Sequence, residues 1–337
     1  MTGTVKTFEP KVRFRLVPFE DITVSTDRDY LIKGLFQQTG LAVVWGPPAS
    51  GKSFWTFNAA MHIALGWEYC GRRVQQRPIC YVAGEGQHGF GKRVAAFRQE
   101  FMAEDHGPVP FHLLGEPVDV IGDHGALIQD IRAQLGDQTP GMVVLDTLSR
   151  TLRGDENSSE DMGKYVAAAD SIRDAFACCT TIVHHCGHDG SRPRGFSGLT
   201  AAADMQFAIS AVGEARSIEV EKNKDGPKGD RLSFRLRSVE IATDADGDPI
   251  TSCVVAPSDS AATEPAAVKL TDNQRTMLTI LQEAGPAGLT WPEWNGQAKD
   301  AGVARTREAS RFDARAALKR KKLVHESQNG RWHVTTH

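Results

Sequence analysis

The chain lacks what would tie it to a membrane or to an oxidising compartment. No apolar run approaches the roughly 20 residues a helix needs to cross a bilayer, and the opening MTGTVKTFEPKVRFR has no apolar stretch or small-residue cleavage site of a secretory signal. A cytoplasmic protein with no membrane partner is expected. Cysteines are few, six in 337 residues (Cys70, Cys80, Cys178, Cys179, Cys186 and Cys253), unevenly spaced and without a C-x-x-C pair. That argues against a disulfide framework and against a zinc ribbon, and the six read as reduced thiols, most of them in the core. A large excess of either charge is missing too: the formal net charge is -3, so any affinity for nucleic acid has to come from a local patch. One candidate patch spans residues 305–322, where Arg305, Arg307, Arg311, Arg315, Lys319, Arg320, Lys321 and Lys322 meet only Glu308 and Asp313.

What is present is 40% apolar residues in a chain long enough for one large domain and one small one. Composition shifts at residues 256–268, APSDSAATEPAAV, an Ala/Pro/Ser/Thr-rich stretch that reads as a linker. The expected organisation is a domain over 1–255, the linker, and a second domain over 269–337.

Before the linker, apolar runs alternate with helical patterns. Strands are expected at Leu41 to Trp45, Ile79 to Ala83, MVVLD and TTIVHH. Helices are expected from Lys52 to Leu65 with Gly66 as the stop, near Lys92 to Ala103, at Ala126 to Leu135 and near Met162 to Ala177. Such alternation implies an α/β fold with a mostly parallel sheet. From Asp204 the pattern changes to strands separated by the turn signals GEA, DGPKGD and DADGDP, so the sheet should end in antiparallel strands. After the linker come three helices, the first capped by Thr271 and the third by Thr306, then two short strands around Asn329-Gly330. Three helices and a hairpin is the layout of a winged helix, whose basic third helix would enter a major groove.

The strongest local signal is GPPASGKS, which follows the strand LAVVW and opens a helix. It fits G-x-x-x-x-G-K-[ST]. Backbone N–H groups of Gly46, Pro47, Pro48, Ala49, Ser50 and Gly51 (the prolines excepted) would wrap the phosphates of ATP at the helix N-terminus, together with Lys52, Ser53 and Phe54. Lys52 supplies a point charge to the β and γ phosphates and Ser53 a ligand to Mg2+. Asp146, the acid at the end of MVVLD, is placed to serve the metal through a water. Gly84, Gly86 and Gly89 form a G-x-G-x-x-G that also fits dinucleotide binding, but the first strand-loop-helix unit is already committed to phosphates. Glu85 within it reads either as the base that activates the attacking water or as a solvated loop acid. His184, His185, Cys186 and His188 look like metal ligands, yet adjacent strand residues face opposite ways and no second pair follows. A sensor of the γ phosphate at the strand end, or a buried hydrogen-bonded His pair, remains as the alternative.

Taken together, DYLIKGL, GPPASGKSF, YVAGEG followed by Arg93, VVLDTLSR with DENSSEDM, VHHCGHD, RGFSGLTAAAD and EKNKDGPKG resemble the RepA-type hexameric replicative helicases of plasmids and phages. That family is a RecA-like branch akin to the DnaB-type helicases, and the resemblance covers roughly residues 28–240. It implies an ATP- and Mg2+-dependent DNA helicase acting in replication as a homo-hexamer on single-stranded DNA. It further implies Glu85 as the water-activating base, His184 or His185 as the γ-phosphate sensor, and Lys222 and Lys224 as cations reaching into the neighbouring subunit's nucleotide. The loop from Cys186 to Phe196 would line the DNA channel, with Arg192 and Arg194 as contacts. Two departures stand out: His188 replaces a lysine common in the family, and Lys224 stands where Arg is common, a change that loses a bidentate fork. The C-terminal domain would bind duplex DNA, through residues such as Arg311 and Arg315, or a replication protein. A regulator, loader or RadA-like recombination ATPase of the same fold, without processive unwinding, is the other reading.

Overall fold

A computed structural model describes residues 16–23, 28–84, 87–102, 106–187, 192–224, 226–258, 270–303, 308–321, 323–327 and 329–335. The chain divides into two compact units, Met1–Asp259 and Ser260–His337.

In the first unit a small antiparallel pair, β1 (Tyr30–Ile32) and β2 (Phe36–Gln37), precedes the main sheet. Then follow β3 (Gly40–Gly46), α1 (Lys52–Leu65), β4 (Ile79–Ala83), α2 (Gln87–Phe101), β5 (Phe111–Leu114), α3 (Val120–Leu135) and β6 (Met142–Asp146). The chain continues through α4 (Leu148–Thr151), α5 (Ser159–Phe176), β7 (Cys179–His185), α6 (Gly198–Ala202), β8 (Met205–Val212), β9 (Ala215–Asn223), β10 (Arg231–Thr243) and β11 (Pro249–Pro257). The nine-stranded sheet runs β11-β10-β9-β8-β3-β7-β6-β4-β5. Pairing is parallel from β8 through to β5 and antiparallel from β8 out to β11. The fold is therefore α/β, with the expected antiparallel continuation.

The central strands β3, β4 and β6 are buried at every residue, which is why they read as unbroken apolar runs rather than as alternating ones. Their two faces feed two cores. Ala42, Val44, Tyr81, Val144 and Val183 pack with α1 and α2 on one side. Leu41, Val43, Val82, Leu145 and Ile182 pack with α3 and α5 on the other. Helix α1 stops where Gly66 takes a φ of 69° and gives its N–H to the carbonyls of His62 and Ile63. Helix α5 starts where the Ser158 side chain accepts from the Asp161 N–H.

Several elements differ from expectation. Helix α3 begins at Val120 rather than Ala126, because Gly122 and Gly125 dilute the periodic signal without preventing a helix packed against α5. Helix α2 likewise begins earlier, at Gln87, and ends at Phe101. Strand β5 is a half-exposed edge strand of four residues, too short and too mixed to register as a pattern. Of the cysteines, Cys80, Cys178 and Cys179 are buried, Cys186 and Cys253 half buried and Cys70 exposed, so half rather than most belong to the core.

The second unit contains α7 (Asp272–Glu283), β12 (Leu289–Thr290), α8 (Trp291–Asp300), α9 (Glu308–Arg320), β13 (Val324–Glu326) and β14 (Arg331–Val334). A small sheet, β12-β14-β13, closes against the helices, and β12 is the piece not anticipated. Thr271 caps α7 reciprocally with Gln274, and Thr290 caps α8 in the same way with Glu293. The expected cap at Thr306 lies outside the described residues. The core is built on Trp294, Met277, Leu281, Leu318 and Trp332, with the Trp294 indole N–H bonded to the Met277 carbonyl at 2.7 Å.

The turn out of β3 has no spare room: a Cβ on Gly46 would sit 2.3 Å from the Ile209 carbonyl oxygen of β8. Backbone cannot yield as a side chain would. Gly46→Ala is expected to destabilise the first unit by about 2 kcal/mol or more, read as a lowered midpoint in urea unfolding with unchanged slope.

Candidate functional site

The segment from Gly46 to Ser53 leaves the C-terminal end of β3 and enters α1 directly. Ala49 (φ 59°) and Gly51 (φ 92°) both take left-handed backbone conformations, which curl the loop back over the start of the helix. No side chain caps α1 and no acid lies in its first turn. The helix N-terminus therefore presents unsatisfied N–H groups and the positive end of its dipole to whatever occupies the loop. Lys52 is buried, and its Nζ donates to the carbonyls of Gly46 (3.0 Å) and Pro47 (2.7 Å), so the ammonium already sits inside the curl. The buried Ser50 hydroxyl has no hydrogen-bond partner among the described residues.

Asp146 reaches this loop across an intervening strand. β3 and β6 do not touch; β7 lies between them. The parallel register aligns Gly46 with His185 and Asp146 with Val183, so β6 ends two residues before β3 and β7 at the same edge of the sheet. Ser53 Oγ donates to Asp146 Oδ1 at 3.0 Å, and the buried Tyr81 hydroxyl donates to Oδ2 at 2.6 Å. Burial, then the charge of Asp146, push the Tyr81 phenol well above its ordinary pKa, so it stays a donor. Tyr81 was not singled out from the sequence. It sits in ICYVA as one more apolar residue, and only the face it shares with Asp146 reveals it.

The two histidines separate cleanly. His185 follows Val183 on the face that carries α1, in register with Gly46. His184 follows Ile182 on the opposite face, is fully buried, and bonds through Nε2 to the Arg194 carbonyl at 2.8 Å. The carbonyl can only accept, so the proton is on Nε2; Nδ1 is buried without a partner. His184 as a phosphate sensor is therefore corrected: it points away from the loop and braces the segment after β7. Their opposed faces also prevent the pair from sharing one ion, and no cluster of three His, Cys, Asp or Glu residues converges among the described residues. Glu85 and His188 lie outside the described residues.

Arg194 and Phe196, downstream of β7, are held by Glu156. The Arg194 guanidinium grips Glu156 with both Nε and an NH2 group, and the Phe196 N–H bonds to the Glu156 carbonyl at 2.8 Å. Arg194 as a DNA contact would require breaking that pair. The Arg192 side chain is exposed. Lys222 and Lys224 lie at the far end of the sheet from the loop. Asn223 pairs with Met205, which pairs with Ala42, so they are about 13 Å from Gly46 along β3 at 3.3 Å per residue. Lys222 caps α6 by donating to Thr200 (3.3 Å) and Ala201 (3.1 Å), and the exposed Lys224 faces Asp204 at 3.5 Å.

In the second unit the two arginines expected on DNA are otherwise employed. Arg311 is only 5% exposed, with Nε bonded to Asn295 at 2.7 Å and NH1 to the Val303 carbonyl at 3.4 Å. Its role is to tie α9 to α8. Arg315 stacks against Trp291 (4.0 Å), Phe312 (4.2 Å) and Trp332 (4.9 Å). The outward cations of α9 are Lys319 and Arg320.

A loop cradle, its lysine, and a serine joined to a strand-end aspartate across one intervening strand make the first unit a P-loop ATPase core of the α/β class. The chain belongs to the AAA domain family, whose model matches residues 9–191. Among solved structures, the crystal structure of the RadB recombinase is similar: 16% identical, covering 59% of this chain and 87% of that one, with a TM-score of 0.44. No curated protein sequence matches.

Burial lowers the His184 pKa below its ordinary value, against a smaller upward pull from the Arg194 carbonyl. The neutral ring thus contributes stability that is complete above the unfolded pKa of about 6.5 and is lost as pH falls through the folded value. Between pH 7.5 and 5 the melting temperature of the wild type should fall more steeply than that of His184→Gln, measured by differential scanning calorimetry. Parallel curves would remove His184 as the cause.

Proposed function

We propose that the protein is an ATP-driven motor that assembles as a ring, a hexamer by resemblance, and translocates on single-stranded DNA as a replicative helicase. The observation that carries the ATPase part is the Ser53–Asp146 contact beside the curled loop. A hydroxyl and a carboxylate 3.0 Å apart, next to a lysine already placed for phosphates, form a donor set suited to Mg2+ bound with ATP. Ser53 would ligate the ion directly and Asp146 through water, with Tyr81 fixing the carboxylate's orientation. Mg2+, when bound, neutralises charge on the β and γ phosphates. Lys52 turns from the loop carbonyls to those same oxygens, and His185 is the histidine left to meet the γ phosphate. Glu85, on the loop that follows β4, is assigned the base that takes the proton from the attacking water.

The ring rests on Lys222 and Lys224. Both lie too far from their own loop to serve it, so any role in hydrolysis is toward a nucleotide held by another copy. A cleft of about 610 Å³ that includes Asn223 is lined by Lys33 and Arg73, by Arg72, whose guanidinium pairs with Asp230, and by Asp29, so its net excess of positive charge is modest. Charge added there stabilises phosphoryl transfer only when copies meet.

The second unit reads as a winged helix in which Lys319 and Arg320, rather than Arg311 or Arg315, face a phosphate backbone or a replication protein. The pinning of Arg194 by Glu156 favours one second reading: a regulator or loader whose ATPase needs no translocation. Stimulation of the ATPase by single-stranded DNA, with unwinding of a forked duplex, separates the two; a slow, DNA-indifferent ATPase would leave the second.

Two outcomes test the assignments. Glu85→Gln is expected to keep ATP affinity and lose turnover by about 100-fold or more, followed by phosphate release. Mixing Lys222→Ala/Lys224→Ala protein with Lys52→Ala protein should restore part of the activity that each lacks alone, and no recovery at any ratio would refute action across an interface.

A further inference from the structure

The inner face of β9 carries one residue that does not belong to the core. Ile218 and Val220 point into the core around α1, and the next position on that face, two residues before Ile218, is Arg216. It pairs across the sheet with Ala211 on β8 and Phe234 on β10. Its side chain runs along the phosphate loop: a Cβ on Gly51 would lie 3.4 Å from Arg216 Cδ and 3.5 Å from Nε, and 3.3 Å from Leu236 on β10. NH1 donates to the Glu214 carbonyl at 2.8 Å, whereas Nε is buried with no hydrogen-bond partner among the described residues. No carboxylate pairs with Arg216 among the described residues.

This is an electrostatic conflict in the protein alone. The guanidinium is always charged and stands beside the positive end of the α1 dipole, close to Lys52, with no acid in the first turn. Three positive sources converge, and an anion in the loop reconciles them. Resting on the ATPase reading above, we propose that Arg216 is a nucleotide-binding residue acting within its own subunit, on the phosphate nearest the nucleoside. The side of the loop fixes which phosphate. Asp146 and His185, which face the γ phosphate in that reading, stand on β6 and β7, to one side of β3; Arg216 stands on β9, to the other side, beyond β8. A phosphate chain lying across the loop therefore has its γ end toward β7 and its α end toward β9. Arg216 serves the end that ADP and ATP share, unlike Lys52, which serves the β and γ phosphates.

The test uses the full-length protein, with titration calorimetry of ADP and of ATP in magnesium, and melting temperatures with and without ADP. Arg216→Gln keeps a hydrogen-bond donor on a shorter side chain and removes the charge; Arg216→Lys keeps the charge. A charge-assisted contact predicts that the Gln variant loses about tenfold or more in affinity for ADP and ATP alike, and the Lys variant much less. The Gln variant without nucleotide should melt at or above the wild-type temperature while its ADP-induced rise shrinks. A merely structural arginine would show the reverse: a lower melting temperature and an unchanged Kd. Overturning results are ADP affinity in Arg216→Gln within about twofold of wild type, or equal losses in both variants with lowered stability. If the wild type bound neither nucleotide, the ATPase reading itself would fall, and the inference with it.

Discussion

The constraint on which the site depends is the register of three parallel strands at one edge of the sheet. β3 delivers the loop, β7 delivers His185 and β6 delivers Asp146, and the register that pairs Gly46 with His185 and Asp146 with Val183 sets all three at one edge. The Ser53–Asp146 hydrogen bond spans the strand between them and ties the helix start to the far strand. A slip of one residue in β6 would turn Asp146 to the α3 and α5 side, away from Ser53 and Tyr81. The apolar cores on the two faces hold that register, since any slip would expose one set of side chains and bury the other.

On this frame the charges are distributed unequally. The loop end of the sheet gathers cations: Lys52, the α1 N-terminus and Arg216, with Asp146 kept apart by its bonds to Ser53 and Tyr81. At the far end a cleft is lined by Lys33 and Arg73 together with Asp29, and Lys224 faces Asp204. Between them, Arg194 is anchored by its side chain to Glu156 and by its carbonyl to His184.

Much of the fold was legible because its strands are buried on both faces. An unbroken apolar run followed by Gly-rich punctuation and a helical period has few alternative readings, and α1, β4 and β6 have the boundaries their residues imply. Legibility fell off where burial was partial. The edge strand β5, the short β1 and β2, and the glycine-diluted start of α3 are held by neighbours rather than by their own pattern. The site divided in the same way. The loop and Asp146 announce themselves by residue type and spacing, whereas Tyr81 and Arg216 occur in segments that read as ordinary strand. Arg311 and Arg315 show what a count of positive charges along α9 leaves out: one side chain is buried against α8 and the other is stacked among aromatic rings.

The sequence by itself determined the α/β alternation, the phosphate loop with its lysine and serine, and the acid at the end of β6. These depend on local periodicity and on residue types that few other structures require. Only the tertiary structure decided which histidine faces the loop, that Tyr81 holds Asp146, that Arg194 is bound to Glu156, and that Arg216 lies against Gly51. Each of these depends on which face of a strand a residue occupies and on what segment, distant in the chain, packs against it.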